Sequence, residues 1–268
     1  MGINKLNSFL KQYITDSIRK KSLFQLKGFT IAVDFSIFYY KFKKSKNSRS
    51  TNYFIESFQR QINTFKFYDI TPIYIFDGKP DYNKSNVIKN RNREINKYIK
   101  KAIDEKNLVL KKIYEKKTVK LNIYDINLCK ELFRKNSIEF REAEGEADDL
   151  CCQLYKDDIV KGIFTEDNDL LLGGAVIYKG LNNFNDVIYE YNLKNILIEL
   201  NISYRSFLQI CLLAGSTYTK KICCIFILYE NYKNNKLDID NFRYEDKEAL
   251  YNKNVKSDIL MTITASAA

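Results

Sequence analysis

The stretch Ile73-Tyr74-Ile75-Phe76-Asp77-Gly78 decides the fold. Four apolar residues with high strand propensity run directly into an acid and a glycine, which is typical of a buried strand that ends in a turn. Earlier in the chain, Phe29-Thr30-Ile31-Ala32-Val33 is a similar run that stops at Asp34. Because helical sequence separates the two runs, they favour neighbouring strands of a parallel sheet.

Outward from these two runs, the chain alternates between short apolar segments and longer helical ones. Further strands are predicted near residues 138–140, 162–164 and 176–178, and helices over 5–26, 52–67, 84–120 and 144–155. This alternation predicts an α/β fold with a mostly parallel central sheet flanked by helices. In such sheets ligands bind at the carboxyl ends of the strands.

Acidic residues follow three of the predicted strands and open one predicted helix. Each acid alone is commonly a turn former or a helix cap. Together they predict a cluster of carboxylates that repel one another, which a bound divalent cation would relieve. Oxygen ligands suit Mg²⁺ or Mn²⁺, and a pair of such ions is suited to phosphodiester hydrolysis. The candidate metal ligands are Asp34, Asp77, Glu146, Asp148, Asp149, Asp167 and Asp169.

The composition excludes several other kinds of site. The chain of 268 residues has no histidine, so it has no Ser-His-Asp unit and no histidine zinc site. Its six cysteines include no C-x-x-C spacing, which favours reduced thiols in a reducing compartment. No apolar run reaches about 18 residues and no secretory signal is visible, so we expect no membrane span and an intracellular location.

Five motifs, in order and spacing, resemble the flap endonuclease (XPG-type) superfamily of structure-specific 5′ nucleases. They are Met1-Gly2-Ile3 with Leu6, Ile31-Ala32-Val33-Asp34 with Ser36 and Tyr40, the segment 72–80, the segments 142–148 and 165–169, and the segment 213–218. The resemblance implies a PIN-like 5′-nuclease fold. It also implies a nuclease domain over 1–218 and a truncated or degenerate helix-hairpin-helix region over 219–268.

The resemblance also implies the roles of the acids. All seven candidates except Asp149 fall on the family's metal-binding carboxylates. Asp149 is a weaker candidate, suggested by a similar acidic run in the bacterial branch, and Glu166 is expected to be structural. The implied cofactor is a pair of Mg²⁺ ions, with Mn²⁺ as a substitute. The implied reaction is hydrolysis of flapped or branched DNA in replication or repair.

Most of the net charge of +11 lies in one segment, because residues 84–120 hold thirteen Lys or Arg and four Asp or Glu, a balance of +9. A solvated helix pair would explain it, and so would a surface that contacts phosphates. The resemblance implies a helical arch over about 84–122, with Lys84 and Arg91 as catalytic residues at the scissile phosphate. The expected nucleic-acid-binding residues are Gly2, Tyr40, Lys84, Lys89, Arg91 and Arg93.

Two features depart from the family. Thr217 stands where the family has a carboxylate, and Lys221–Phe226 lacks the glycines of the family's duplex-binding hairpin. Two alternatives to a flap nuclease therefore stay open: a catalytically impaired DNA-binding protein, and a nuclease for single strands or RNA. No sliding-clamp motif is recognisable, and a monomer is expected. The expected compartment is the nucleus for a cellular protein and the cytoplasm for a viral or prokaryote-like one.

Overall fold

The computed structural model describes residues 2–45, 53–79, 85–181, 186–215 and 221–236. Internal contacts divide the chain into two compact units. One comprises Met1–Ile18 and Leu193–Ala268, and the other Arg19–Asn192. The predicted boundary at residue 218 remains a prediction.

A mixed sheet forms the centre of the second unit. Within the described residues it has seven strands in the order β1-β7-β6-β5-β2-β3-β4. The pairs that involve β2, β3, β4 and β5 are parallel, and β6 pairs with β7 in the antiparallel sense. The predicted mostly parallel α/β sheet is therefore confirmed. The strands are β1 Ile18–Ser22, β2 Thr30–Asp34, β3 Thr71–Phe76, β4 Glu139–Glu142, β5 Ile163–Phe164, β6 Ile177–Lys179 and β7 Val187–Tyr191.

Helices follow most of the strands. They are α1 Leu6–Tyr13, α2 Phe35–Lys43, α3 Tyr53–Phe67, α4 Ser85–Asp104, α5 Leu108–Lys117, α6 Ile123–Lys135, α7 Ala147–Lys156, α8 Leu193–Leu200, α9 Tyr204–Ala214 and α10 Ile225–Lys233. Two 3-10 helices, Leu23–Leu26 and Asp169–Gly173, complete the set within the described residues.

The predicted helix over 5–26 was wrong beyond Tyr13. The apolar spacing of Ile14 and Ile18 continues a helical period, but the carboxylate of Glu199 binds the backbone N–H groups of Thr15, Asp16 and Ser17. The chain then turns into β1, which lies at the edge of the sheet beside β7.

The predicted helix over 84–120 is two helices. The break lies at Glu105-Lys106-Asn107, where the Asn107 side chain accepts hydrogen bonds from Val109 and Leu110 and so caps α5.

Aromatic side chains fill the core between the sheet and helices α2, α3 and α6. The rings of Phe35 and Phe76 stack at 4.0 Å between centroids, and those of Tyr74 and Phe133 at 4.2 Å. These contacts fix β3 against the helices and so fix the position at which β3 delivers Asp77.

The first unit packs α1 against α10 through aromatic contacts. Phe9 and Tyr13 lie against Tyr229 at 5.1 and 4.9 Å between ring centroids, and the Tyr13 hydroxyl donates to Glu230 at 2.6 Å.

Among the described helices, no single one is long and apolar enough to span a bilayer. The bent pair α8 and α9, at 91°, meets the length and composition test only when taken together. All six cysteines are free thiols, and Cys129, Cys151 and Cys211 are buried.

Candidate active site

Three adjacent parallel strands end at the same edge of the sheet. In the register, Asp34 of β2 lies opposite Ile75 of β3, and Val33 lies opposite Phe164 of β5. Asp34, Asp77 and Asp167 therefore follow one another across this edge, as the strand endings predicted.

Asp34 is the buried member of the group, 4% exposed. Its Oδ1 accepts the Ile37 N–H at 3.2 Å, which caps α2, and its Oδ2 accepts the Thr165 hydroxyl at 3.2 Å. The pKa of Asp34 is raised to about 7, and burial is the largest cause. The Ile37 hydrogen bond opposes that rise in pKa, whereas the charges of Asp77 and Asp167 add to it. This carboxyl pays a large desolvation cost that a nearby cation would offset.

Asp77 is exposed and is held by two hydrogen bonds. Its Oδ2 accepts the Ser36 hydroxyl, and its Oδ1 accepts the Ala147 N–H at 3.1 Å. The second bond satisfies one of the open N–H groups at the start of α7. Asp77 thus links the end of β3 to the helix that carries the next acids.

The first turn of α7 supplies Glu146 as the N-cap, followed by Asp148 and Asp149. Burial, together with the negative charges of Asp34, Asp167, Asp77 and Glu146, raises the pKa of Asp148 to about 8. Asp149 is exposed. The structure therefore brings Asp148 together with the acids of the sheet edge and leaves Asp149 at the surface of the same turn.

The loop after β5 carries Asp167 and Asp169, both half-buried. The Thr165 hydroxyl accepts the Asp167 N–H, and Asp167 Oδ1 accepts the Asp169 N–H, both at 3.1 Å. Glu166 instead accepts hydrogen bonds from Lys41 Nζ at 3.1 Å and from the Gly180 N–H at 3.3 Å. Its contacts are those of a structural residue.

The chemistry of this donor set fits a divalent cation. Five carboxylates repel one another: those of Asp34, Asp77, Glu146, Asp148 and Asp167. Burial and this repulsion raise the pKa values of Asp34 and Asp148. As the side chains stand, no three Asp, Glu or Cys residues in the described part of the chain are arranged to hold an ion. Asp34 and Asp77 each accept two protein hydrogen bonds, which orient the carboxylates and leave further lone pairs on their oxygens for an ion.

The basic segment forms two helices, α4 and α5, that contact each other. The rings of Tyr98 and Tyr114 lie 6.1 Å apart, and Lys117 Nζ lies 4.5 Å from the centroid of Tyr98. No residue of α5 is buried. These two helices are called the arch below. Lys89, Arg91 and Arg93 are exposed on α4, whereas Lys84 lies outside the described residues.

Tyr40 lies on α2 and is half-buried. Its ring meets Tyr39 edge to face at 5.4 Å, and Lys44 Nζ lies 4.9 Å from its centroid. Packing and base stacking are both compatible with this position. Gly2 belongs to the other unit, and Thr217 lies outside the described residues.

Two hydroxyl groups that support the acids were not predicted as site residues from the sequence. Ser36 and Thr165 orient Asp77 and Asp34 through the hydrogen bonds described above. In the sequence, Ser36 stands out only as part of the motif that contains Asp34. The available sequence signal for Thr165 was its position: it is a hydroxyl residue at the end of a strand and directly before a pair of acids.

Two family models match the sequence: XPG N-terminal domain over residues 1–98 and XPG I-region over residues 137–217. Flap endonuclease 1 of Enterocytozoon bieneusi (strain H348) is 28% identical, over 94% of this chain and 77% of its own length. Flap endonuclease 1 of Entamoeba histolytica is 30% identical, over 87% of this chain and 68% of its own.

Two solved structures share the fold. The catalytic core of Rad2 in complex with DNA substrate matches with a TM-score of 0.70 and 22% identity, over 98% of this chain and 79% of the other. Flap endonuclease-1 from Methanococcus jannaschii matches with a TM-score of 0.60 and 23% identity, over 82% and 76%.

Proposed function

Because the chain belongs to the flap endonuclease/XPG superfamily of structure-specific nucleases, we propose that it is a Mg²⁺-dependent 5′ nuclease of flapped or branched DNA. The observation that carries this proposal is the carboxylate cluster at the edge formed by β5, β2 and β3. A hydrolase without histidine needs another source of activated water, and a metal held by carboxylates is one. DNA is the proposed partner. The protein would act as a monomer in the compartment that holds this DNA.

We assign the metal ligands to Asp34, Asp77, Glu146, Asp148, Asp167 and Asp169, with Asp149 as a weaker candidate. Bound Mg²⁺ or Mn²⁺ would supply activated water and stabilise the leaving oxygen. The chain's own residues prepare the site. Ser36 and the Ala147 N–H orient Asp77, and Thr165 orients Asp34.

The basic residues of the arch have a separate role in this proposal. Arg91 and Lys84 would stabilise the negative charge that develops on the scissile phosphate. Lys89 and Arg93 would contact neighbouring phosphates, Tyr40 would stack on a base, and Gly2 would contact the nucleic acid. The products would carry 5′-phosphate and 3′-hydroxyl ends.

The deciding experiment incubates the full chain with a labelled 5′-flap duplex and Mg²⁺. We expect cleavage by the wild type and a loss of at least about 100-fold in Asp77→Asn, because the substitution removes one negative ligand from the cluster. Glu166→Gln is the matched control, because it neutralises an acid that faces Lys41 and Gly180 instead. If the wild type cuts nothing, or Asp77→Asn cuts as well as the wild type, the proposed function is wrong.

The alternative of a non-cutting DNA-binding protein is favoured by one sequence feature, Thr217 in place of a carboxylate. In our proposal Thr217 weakens one metal site without abolishing cleavage, so Thr217→Asp raises activity at low Mg²⁺. An unchanged Mg²⁺ titration would show that position 217 is not a ligand. The alternative of a single-strand or RNA nuclease is tested by comparing flap DNA, single-stranded DNA and RNA in the same assay.

A further inference from the structure

A cavity of about 550 Å³ opens beside Asp77, between the end of β3 and the start of α6. Phe76, Ile126 and Ala143 form apolar parts of its lining. Ile123 also lines it, although this isoleucine is 70% exposed. A cavity of this volume is within the usual range for small-molecule sites.

The charged groups of the lining do not favour a phosphate inside the cavity. Lys130 Nζ is paired with Glu142 at 2.7 Å and lies 5.2 Å from the centroid of Phe76. The remaining charged residues are the cation Lys79 and the acids Asp77 and Glu144. The lining is therefore apolar with the carboxylate of Glu144 as an acceptor, which suits the face and an amino group of a nucleobase better than an anion.

Two residues that flank the arch in sequence, Lys79 and Ile123, line this cavity. Lys79 lies six residues before α4 begins at Ser85, and Ile123 lies six residues after α5 ends at Lys117. A DNA strand that lies along the cations of the arch and reaches Asp77 therefore passes close to the mouth of the cavity. We propose that the cavity holds one unpaired nucleobase of the DNA strand that is cut. This inference rests on the proposed function, since it names a further contact of the same substrate.

The test exploits two neighbouring positions in the first turn of α6. Ile123 and Tyr124 are 70% and 69% exposed, but only Ile123 lines the cavity. Ile123→Asp and Tyr124→Asp add the same charge at the same end of the same helix. We expect Ile123→Asp to raise KM for a 5′-flap duplex about tenfold with little change in kcat, because it removes the apolar contact with the base. Tyr124→Asp should change KM less than twofold.

A second series identifies the base. An abasic residue is placed at each position of the flap and of the first paired nucleotides in turn. At one position the wild type should lose the same factor of about ten, and there Ile123→Asp and the wild type should become equal. Equal effects of the two Asp variants, or the absence of such a position, would overturn the proposal. Melting curves of both variants check that they fold.

Failure of the proposed function can be told apart from failure of this inference. If the wild type cuts no substrate, the nuclease assignment fails. Binding of the same abasic series, measured by anisotropy without divalent cation, still tests the cavity. A binding difference between Ile123→Asp and Tyr124→Asp that vanishes at one abasic position would support the cavity assignment. No difference would reject it.

Discussion

At the scale of single residues, the raised pKa of Asp148 has a consequence for stability. In the folded protein without metal this pKa is about 8, against an ordinary value of 3.8 for an aspartate. Between those pH values the folded state holds a proton that the unfolded state has lost, so stability falls as pH rises. Asp34, with a pKa of about 7, acts in the same direction.

We therefore predict that Asp148→Asn stabilises the metal-free protein at pH 8 by roughly 1–3 kcal/mol, since each pKa unit corresponds to about 1.4 kcal/mol and relaxation reduces the full effect. The gain should shrink as the pH falls towards 3.8 and vanish well below it, where the wild-type carboxyl is protonated in both states. Urea unfolding at a series of pH values measures it. The same variant should lose much of the stabilisation by Mg²⁺ that the wild type shows.

Glu166→Gln is the control for that measurement, because Glu166 is bound to Lys41 and Gly180. It should not produce the gain in stability at pH 8 that Asp148→Asn produces. An Asp148→Asn protein that is less stable than the wild type at pH 8 would show that Asp148 is ionised at low cost. The mutual repulsion of the acids would then not be the feature that attracts a cation.

At the scale of secondary structure elements, Gly78 fixes the end of β3 against the loop before α7. Its N–H donates to the Gly145 carbonyl at 2.7 Å, and the Lys79 N–H donates to the Glu144 carbonyl at 3.2 Å. A Cβ at position 78 would lie 1.9 Å from the Ala143 carbonyl oxygen and 2.7 Å from that of Glu144. Both obstacles are backbone atoms, so the loops themselves would have to separate.

We predict that Gly78→Ala lowers the free energy of unfolding by about 1–3 kcal/mol, the usual cost of overpacking. It should also reduce cleavage, because the displaced loops carry Asp77 and Glu146. Gly145→Ala is the matched control, since a Cβ there meets nothing within 4 Å. Equal melting temperatures and equal cleavage rates for the two variants would contradict the role given to Gly78.

Elements that local sequence determines were predictable, and elements that depend on distant partners were not. The apolar run 73–76 predicted β3, because few other secondary structures fit a short segment of high strand propensity that stops at Asp77. β1 was missed, since its residues Ile18-Arg19-Lys20-Lys21-Ser22 carry little apolar pattern and pair at the edge of the sheet. The acids at the sheet edge were predictable from the strand endings. The hydrogen bonds of Ser36 and Thr165 depend on rotamers and packing that no sequence spacing specifies.

At the scale of the whole molecule, the unit that contains Met1–Ile18 joins two distant parts of the chain. Glu199 of α8 accepts the Thr15 N–H at 2.7 Å and the Ser17 N–H at 2.8 Å. Burial opposes its ionisation, but the hydrogen bonds from Ser17, Thr15 and Asp16 outweigh it and lower the pKa of Glu199 to about 2. The stabilisation that the ionised Glu199 contributes is complete above pH 4.5 and is lost as the pH falls through about 2.

We predict that Glu199→Ala costs about 1 kcal/mol at pH 7, a small value because Glu199 is only half-buried and solvent weakens its interactions. Glu199→Gln should recover part of the loss through its one acceptor oxygen. The stability difference between wild type and Glu199→Ala should shrink between pH 4 and pH 2, which denaturant melts can follow. A difference that is constant with pH would show that the ionised carboxylate contributes nothing beyond packing.

The distribution of charge over the molecule gives the last prediction. A net charge of +11 would steer any polyanion, but a balance of +9 over residues 84–120 confines most of that attraction to the arch. Each single-strand phosphate neutralised contributes about 0.7 to the slope of log K against log salt. Replacing the exposed Lys89, Lys100 and Lys112 by Gln should therefore lower the slope for flap binding by about 2.

The control replaces three other exposed lysines, Lys27, Lys66 and Lys135. They lie just before β2, β3 and β4, at the opposite end of these strands from the acids. Their triple replacement by Gln removes the same net charge and should leave the slope within about 0.5 of the wild type. If both triple variants lower the slope equally, overall charge rather than the arch binds the strand.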